Sequence, residues 1–225
     1  MQPASQTSIP CEILPVRVTL FCGAAKVRED KATQRFSISV EIGEFHRSFY
    51  WAKLESKIRL VLISLQHSPE LSGKPLDSRR VFSDEEVYSA MSQGRIAEVL
   101  PVLHRIAADN GEILRACTFE LRAEEKAGEI PGLAHAVSAG LPAPILLREG
   151  EISFPLRAGI PGGIVAEWVS QTQTMEWHPG DVLYFYTDTG NDKLHPDFRE
   201  YIKSSGSGPL TLPEDMILLR VEFLA

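Results

Sequence analysis

Hydrophobic and polar positions follow different patterns in successive parts of the 225-residue chain. Near the start, residues 12–21 and 35–42 are rich in β-branched side chains and partly alternate, which predicts a pair of strands. Residues 23–34 between them show no periodicity and are expected to form a hairpin connection. Residues 1–10 show neither pattern, so we expect a disordered lead-in there.

Helical spacing dominates the second quarter of the chain. Between residues 49 and 66, apolar side chains recur every three or four positions, which predicts an amphipathic helix. They are Trp51, Leu54, Ile58, Val61, Leu62 and Leu65. The sequence Ser83-Asp84-Glu85-Glu86 has the form of a capping box and predicts the start of a second helical region. Gly94 and Pro101 are expected to divide that region, and Gly111 to end it.

From residue 112 onward the pattern changes to short β-rich segments separated by turn residues. Strands are predicted at residues 113–122, 133–139, 144–148, 152–156, 172–177 and 182–187, followed by a helix at 196–203 and a strand at 216–224. Runs of strands interrupted by a block of helices favour an α+β fold with antiparallel sheets over a doubly wound fold.

Composition and charge narrow the functional classes. A chain with 44% hydrophobic and 24% charged residues is typical of one globular domain. Its net charge of -7 and its pI near 5.4 argue against a nucleic-acid partner. No apolar run approaches the roughly 18 residues of a membrane span, and the start lacks the features of a signal peptide. We therefore expect a cytoplasmic protein without a membrane partner.

Acidic residues stand beside two of the predicted strands. The strand at 182–187 is followed by Asp188, and Glu214 and Asp215 precede the terminal strand. Hard divalent cations take oxygen ligands from several chain segments, so these two elements predict one shared metal site. A structural interpretation stays open for each carboxylate: Asp188 can accept the hydrogen bond of a turn, and the acidic pair can be solvent-exposed.

Four ordered segments resemble the SpoIIE/RsbU-like branch of the PPM (PP2C-type) metal-dependent serine/threonine protein phosphatases. SAGLPAPILLR at 138–148 looks like that branch's Ala-Gly-His-Pro-Pro turn and next strand, and GIPGGI at 159–164 looks like its Gly-Pro-Leu-Gly loop. HPGDVLYFYTDTG at 178–190 resembles its strand ending in Thr-Asp-Gly, and EDMILL at 214–219 its closing Asp-Asp strand. The resemblance implies one SpoIIE-like domain over residues 11–225, folded as an αββα sandwich of two antiparallel sheets flanked by helix pairs.

The same resemblance implies a chemistry for the acidic residues. Such phosphatases hold two Mn²⁺ or Mg²⁺ ions at the sheet ends, and a metal-bound water attacks phosphoserine or phosphothreonine. Asp188, Glu214, Asp215 and Glu41 match the family's ligand positions and are the predicted metal ligands. No catalytic side chain is expected beyond the metal-bound water.

Two motifs depart from the family pattern. The expected Asp-Val-x-Gly-His-Gly is EIGEFH at 41–46, and the expected Gly-Gly-Asp is Gly-Ala-Ala at 23–25. Glycine permits the close approach of chain and metal, so these changes predict a degenerate metal centre.

Two functional hypotheses remain open. In the first, the chain is a degenerate, weak or inactive phosphatase in bacterial phosphorylation-dependent signalling that works by binding a regulatory protein. Phe49 and Tyr50 are then predicted to be exposed on the partner-binding surface. In the alternative, the chain is an active Mn²⁺- or Mg²⁺-dependent phosphatase that acts on a small regulatory protein. Fold alone does not decide between them.

Overall fold

The chain folds into two antiparallel sheets stacked face to face, as a computed structural model shows. The structure describes residues 5–9, 15–22, 26–30, 35–42, 45–54, 57–68, 70, 82–122, 132–187, 196–204, 206, 210–214 and 216–224; of these, the side chains of 5, 26–30, 41–42 and 196–197 are not described. The strands are β1 (Ser5–Ile9), β2 (Val16–Cys22), β3 (Lys26–Asp30), β4 (Arg35–Ile42), β5 (Phe45–Leu54), β6 (Lys57–His67), β7 (Glu112–Arg122), β8 (Gly132–Ala139), β9 (Ile145–Arg148), β10 (Glu151–Ser153), β11 (Gln173–Trp177), β12 (Val182–Tyr186) and β13 (Ile217–Phe223). The helices are α1 (Asp84–Met91), a 3₁₀ turn (Ile96–Glu98), α2 (Val99–Asn110) and α3 (Pro196–Lys203).

Strand pairing defines the two sheets. Sheet I has the order β1-β2-β13-β12-β9-β10, and sheet II has the order β11-β8-β7-β6-β5-β4-β3. Alternate side chains of both sheets fill one apolar layer between them, with Phe49, Phe119 and Leu219 among its members. The other face of sheet II packs against α1 and α2, and the other face of sheet I packs against α3. This arrangement confirms the predicted αββα sandwich.

The predicted helix at residues 49–66 is wrong, because this stretch forms the paired strands β5 and β6. Sheet II is covered on both faces, so both alternating sets of side chains are apolar and the period of two is hidden. Phe49 lies in the layer between the sheets, and Tyr50 faces the helices. Both are buried, so the predicted exposed partner surface of Phe49 and Tyr50 is also wrong.

Three predictions for the first 42 residues need correction. The disordered lead-in is wrong at residues 5–9, which form β1 and pair with β2. The connection at 23–34 contains the short edge strand β3. The segments predicted to pair with each other, β2 and β4, lie in different sheets, where β2 pairs with β13 and β4 pairs with β5.

The helical region after residue 82 agrees with the sequence pattern. Ser83 caps α1: the Glu86 N–H donates to Ser83 Oγ at 3.3 Å, and the Ser83 N–H donates to Glu86 Oε2 at 2.9 Å. Gly94 lies in the turn after α1, and Gly111 ends α2 in the left-handed conformation, with φ of 66°. Among the described helices, none has the length and apolar character needed to cross a bilayer.

A buried ion pair attaches the turn after α1 to sheet II. Arg59 Nε donates to Glu120 Oε2 at 2.6 Å, and the Arg59 guanidinium also donates to the carbonyl of Met91 at 2.6 Å. Burial by itself raises the pKa of Glu120, but hydrogen bonds from Arg122 and Arg59 outweigh it and hold that pKa below its usual range. Arg59 is therefore a fully compensated buried cation.

Replacement of Phe49 by Ala tests its place in the core. The side chain is 0% exposed, so the variant is expected to lose about 3–5 kcal/mol of unfolding free energy, measured by urea denaturation. The matched control is Phe154→Ala, because Phe154 is 62% exposed; its expected change is below about 0.5 kcal/mol. Equal losses in the two variants would contradict the assignment of Phe49 to the core.

Candidate functional site

The segments that carry the predicted metal ligands meet at one end of the sandwich. In sheet I, Cys22 at the end of β2 pairs with Ile217 at the start of β13, and Tyr186 at the end of β12 pairs with Leu218. Three residues connect Cys22 to β3 in sheet II. Lys26, the first residue of β3, pairs with Ser39 near the end of β4. We name this end, defined by Cys22, Glu41, Thr187 and Met216, the ligand end.

The structure locates the predicted ligands to different degrees. Asp188 and Asp215 lie outside the described residues, next to Thr187 and Met216. The backbone of Glu41 lies in β4 opposite His46, and its side chain is outside the description. Glu214 is described and is solvent-exposed in the turn before β13. The segments converge as the sequence predicts, while the role of these four residues as ligands stays a prediction.

Hydrogen bonds hold two of the strand ends together at the ligand end. The Thr187 N–H donates to the carbonyl of Ile217 at 3.0 Å, and the Ile217 N–H donates to Thr187 Oγ1 at 2.9 Å. Thr187 is fully buried. Its hydroxyl therefore extends the β12–β13 pairing beyond the last strand residue.

Basic and neutral side chains of sheet II face the space between the sheets at this end. Arg47 shares a face of β5 with the inter-sheet residue Phe49, and it is 1% exposed. Its Nε donates to Ser64 Oγ at 3.4 Å, and its guanidinium lies 5.0 Å from the Phe45 ring centroid. On β7, Arg115 donates to Oε1 of Gln66 in β6 at 3.0 Å, and the Arg115 side chain is half-buried.

Arg47 and Arg115 are not metal ligands themselves. A guanidinium has no acceptor lone pair and keeps its positive charge, so it neither ligates nor attracts a cation. In the described ranges, no group of three or more His, Cys, Asp and Glu residues is placed to hold a metal ion. Three of the predicted ligand side chains, those of Asp188, Asp215 and Glu41, lie outside these ranges, so metal binding by them stays a prediction.

Asp181 of the Pro-Gly-Asp turn has a structural role at the start of β12. Arg148 binds its carboxylate through two hydrogen bonds, from Nε at 2.8 Å and from a terminal nitrogen at 2.6 Å. The His178 N–H donates to the same carboxylate at 2.8 Å. Asp181 is 2% exposed and holds the turn to β9.

A long connection on one side of the sandwich exposes apolar side chains. Residues 152–169, which we name the apolar loop, begin in the edge strand β10 and run toward the edge strand β11. The loop contains six of the eight large hydrophobic residues that are exposed in the described ranges. They are Ile152, Phe154, Ile160, Ile164, Val165 and Val169. The sequence did not predict this surface, because residues 159–164 were interpreted only through their resemblance to the family's Gly-Pro-Leu-Gly loop.

Polar contacts fix the apolar loop to α2. The Gly163 N–H donates to Nδ1 of His104 at 2.9 Å, so that nitrogen carries no proton. The His104 ring stacks on Trp168 with ring centroids 5.9 Å apart, and the Trp168 indole N–H donates to the Ile160 carbonyl at 2.8 Å. Burial, followed by the charge of Arg105, lowers the pKa of His104 and favours its neutral ring.

Two glycines of the loop motif are required by close backbone approach. A Cβ at Gly159 would lie 2.0 Å from the Ser138 carbonyl oxygen, and one at Gly163 would lie 2.0 Å from that of Glu112. Gly163 also has φ of 83°, which side chains disfavour. The Gly-rich motif thus lets the loop lie directly on β7 and β8.

The stacked sheets, the outer helices and the ordered turn motifs define a protein with the PPM (PP2C-type) phosphatase fold. A family model described as Stage II sporulation protein E (SpoIIE) matches residues 89–202. The chain therefore belongs to the SpoIIE family. No curated protein matches it.

Solved structures show the same fold at low sequence identity. The RsbU and RsbW domains of Rv1364c from Mycobacterium tuberculosis are 17% identical, with a TM-score of 0.52, over 97% of this chain and 62% of that chain. The PP2C phosphatase domain of SpoIIE from Bacillus subtilis is 11% identical, with a TM-score of 0.51, over 90% and 64%. RsbX in complex with magnesium is 17% identical, with a TM-score of 0.49, over 88% and 100%. This chain thus spans less than two thirds of the first two structures.

The attachment of the apolar loop is expected to depend on pH. Because the pKa of His104 is lowered in the folded chain, the neutral ring contributes stability above about pH 6.5, the unfolded value. That contribution is lost as the pH falls through the folded value, when the protonated Nδ1 no longer accepts from Gly163. Hydrogen exchange of peptides within 157–171 is expected to accelerate there.

The matched control for this prediction is His104→Asn, whose side-chain oxygen can accept the Gly163 N–H but does not titrate. Its loop exchange is expected to change with pH only as intrinsic chemistry requires. The same acid-induced loosening in both proteins would contradict the role of His104.

Proposed function

We propose that this SpoIIE-family chain acts in bacterial phosphorylation-dependent signalling by binding a regulatory protein, with weak or no phosphatase activity of its own. The observation that carries the proposal is the buried guanidinium of Arg47 at the ligand end. We further propose that the chain acts as one domain in the cytoplasm.

The chemistry of the ligand end supports the inactive assignment. Mn²⁺ or Mg²⁺ would lower the pKa of a bound water and neutralise charge on the phosphoryl group. Arg47 can neutralise charge, but it binds no hydroxide and accepts no proton at neutral pH. Glu214, the predicted ligand whose side chain is described, is directed to solvent.

The apolar loop supports protein binding. Val169 is 87% exposed and Phe154 is 62% exposed, and a soluble domain rarely exposes several large apolar side chains together unless they bind a partner. A cleft of about 540 Å³ is lined by Val169 together with Ile160, Val165 and Trp168. This cleft is a place where a partner's side chain could be buried, as in the centre of many interfaces.

The charges around the loop indicate the kind of partner. Glu149, Glu151 and Glu167 are exposed in or beside the loop, and Glu176 is exposed on the neighbouring edge strand β11. With the overall charge of -7, these acids favour a partner surface that has apolar side chains surrounded by Lys or Arg. We therefore propose a regulatory protein with a basic contact surface.

The inactive assignment predicts the outcome of a phosphatase assay. In the presence of Mn²⁺ or Mg²⁺, hydrolysis of a phosphoserine peptide by the wild-type chain is expected to equal that of the Asp188→Asn variant. A reproducible turnover that Asp188→Asn abolishes would favour the alternative, an active metal-dependent phosphatase.

Substitution of the apolar loop tests the binding surface. The double variant Phe154→Ser/Val169→Ser is expected to lose about tenfold or more of the partner's affinity, since central apolar side chains carry most interface energy. Cross-linking in bacterial cells, with mass spectrometry of the products, identifies proteins captured by the wild type and lost in the double variant. The matched control is Leu224→Ser, because Leu224 is also exposed but lies outside the loop. Capture profiles that are identical for all three proteins would refute the surface.

A further inference from the structure

A cleft at the edge of sheet II is lined by a residue whose hydroxyl group is buried and unpaired. Ser138 lines this cleft and shares a face of β8 with Ala134 and Ala136 of the inter-sheet layer. Ser138 is 8% exposed, and its Oγ has no hydrogen-bond partner among the described residues. A buried hydroxyl group without a partner is unfavourable, so Ser138 favours a ligand that brings a hydrogen-bonding group into the cleft.

The walls of the cleft beside the apolar loop are apolar. Ile160, Val165, Trp168 and Val169 line it on the side of the loop. Its volume of about 540 Å³ lies within the range of about 300–1,000 Å³ that is typical of sites for drug-sized ligands. The cleft is therefore large enough for an aromatic side chain together with its adjoining backbone.

Hydrogen bonds hold both sides of the cleft in place. The Trp168 indole N–H donates to the Ile160 carbonyl at 2.8 Å, and the ring stacks on His104. On the other side, the Gln173 side chain accepts from the Arg157 N–H at 2.7 Å and donates to the Arg157 carbonyl at 3.0 Å. Trp168 thus presents a fixed aromatic wall, and a preformed cleft binds a ligand with a smaller loss of conformational freedom.

The charges at the cleft favour a neutral occupant. Arg157 and Glu167 line it, have opposite charges and are both exposed. Because these two charges balance, the cleft selects neither an anion nor a cation. An aromatic ring matches the apolar walls, and a phenolic hydroxyl group matches Ser138, since it both donates and accepts hydrogen bonds. Tyrosine is the side chain that combines the two.

We propose that the cleft binds a tyrosine side chain of the regulatory protein, with the ring packed against Trp168 and Ile160 and the hydroxyl group bonded to Ser138 Oγ. This proposal rests on the proposed function, because it names the residue that anchors the partner. The exposed acids Glu167 and Glu176 favour Lys or Arg on either side of that tyrosine.

Two capped peptides that differ by one hydroxyl group test the proposal with the full chain: acetyl-Lys-Tyr-Lys-amide and acetyl-Lys-Phe-Lys-amide. Binding is followed by NMR through the indole N–H signal of Trp168, which the Trp168→Phe variant assigns. The tyrosine peptide is expected to bind about five times more tightly, because its hydroxyl group supplies the partner of Ser138. Equal affinities, or no binding of either peptide at millimolar concentrations, would overturn the proposal.

Substitutions separate the hydrogen bond from the apolar contact. Ser138→Ala is expected to remove the preference for the tyrosine peptide without lowering the thermal unfolding midpoint, because the hydroxyl group lacks a described partner. Ile160→Ala changes an exposed wall residue and is expected to weaken the binding of both peptides equally. A tyrosine preference that persists in Ser138→Ala would overturn the proposal.

The matched control is Thr118→Val. In the part of the chain that the structure describes, Thr118 Oγ1 is also buried without a hydrogen-bond partner. Thr118 shares a face of β7 with Ala116, which packs toward the helices, so its hydroxyl group lies away from the cleft. The variant is expected to keep the full preference for the tyrosine peptide, and loss of that preference would contradict the assignment to Ser138.

This test can fail separately from the proposed function. If the two peptides bind equally while Phe154→Ser/Val169→Ser still loses captured proteins, the tyrosine site is refuted and the binding function stands. If the tyrosine preference depends on Ser138 while the capture profile is unchanged in that double variant, the proposed function is refuted and the tyrosine site stands.

Discussion

The apolar layer between the two sheets is the constraint on which the rest of the structure depends. It requires sheet II to present one apolar face to sheet I, while the opposite face of sheet II needs a separate cover from α1 and α2. Strands β5 to β8 are therefore buried on both sides, and charged groups among them need partners. Arg59 meets this requirement with Glu120 on the helix side. Arg47, in the layer itself, donates to Ser64 Oγ and lies over the Phe45 ring.

This constraint also explains which elements could be predicted from the sequence. Strands β7 to β13 lie within a few residues of their predicted positions, because turn residues separate them clearly. Strands β5 and β6 could not be distinguished from a helix by periodicity, since Trp51 and Tyr50 are both buried although they lie on opposite faces. The charged edge strand β3 gave no apolar pattern at all. Burial on both faces hides the alternation in β5 and β6, and a charged edge strand has no apolar alternation to detect.

The candidate site was predictable in its acidic segments and not in its basic ones. Proximity of Asp188 to one strand and of Asp215 to another is a sequence feature, and the pairing of β12 with β13 joins those strands. The position of Arg47 depends on the register of β5, which a helix assignment cannot provide. The apolar loop could not be predicted for another reason. Its side chains form an exposed surface because the loop backbone lies against β7 and β8, a close approach that Gly159 and Gly163 permit.

A guanidinium and a metal ion differ in what they leave possible. Both neutralise carboxylates, but a metal ion is exchangeable and presents a bound water to substrate, whereas an arginine is part of the chain and presents only N–H donors. Under the proposed function, Arg47 neutralises charge at the ligand end without supplying a nucleophile. The apolar loop is attached to α2 through His104 and to β7 through two backbone hydrogen bonds between Gly162 and Leu114. These attachments involve none of the predicted ligands, so under the proposed function the loop surface can bind a partner while the ligand end lacks catalytic activity.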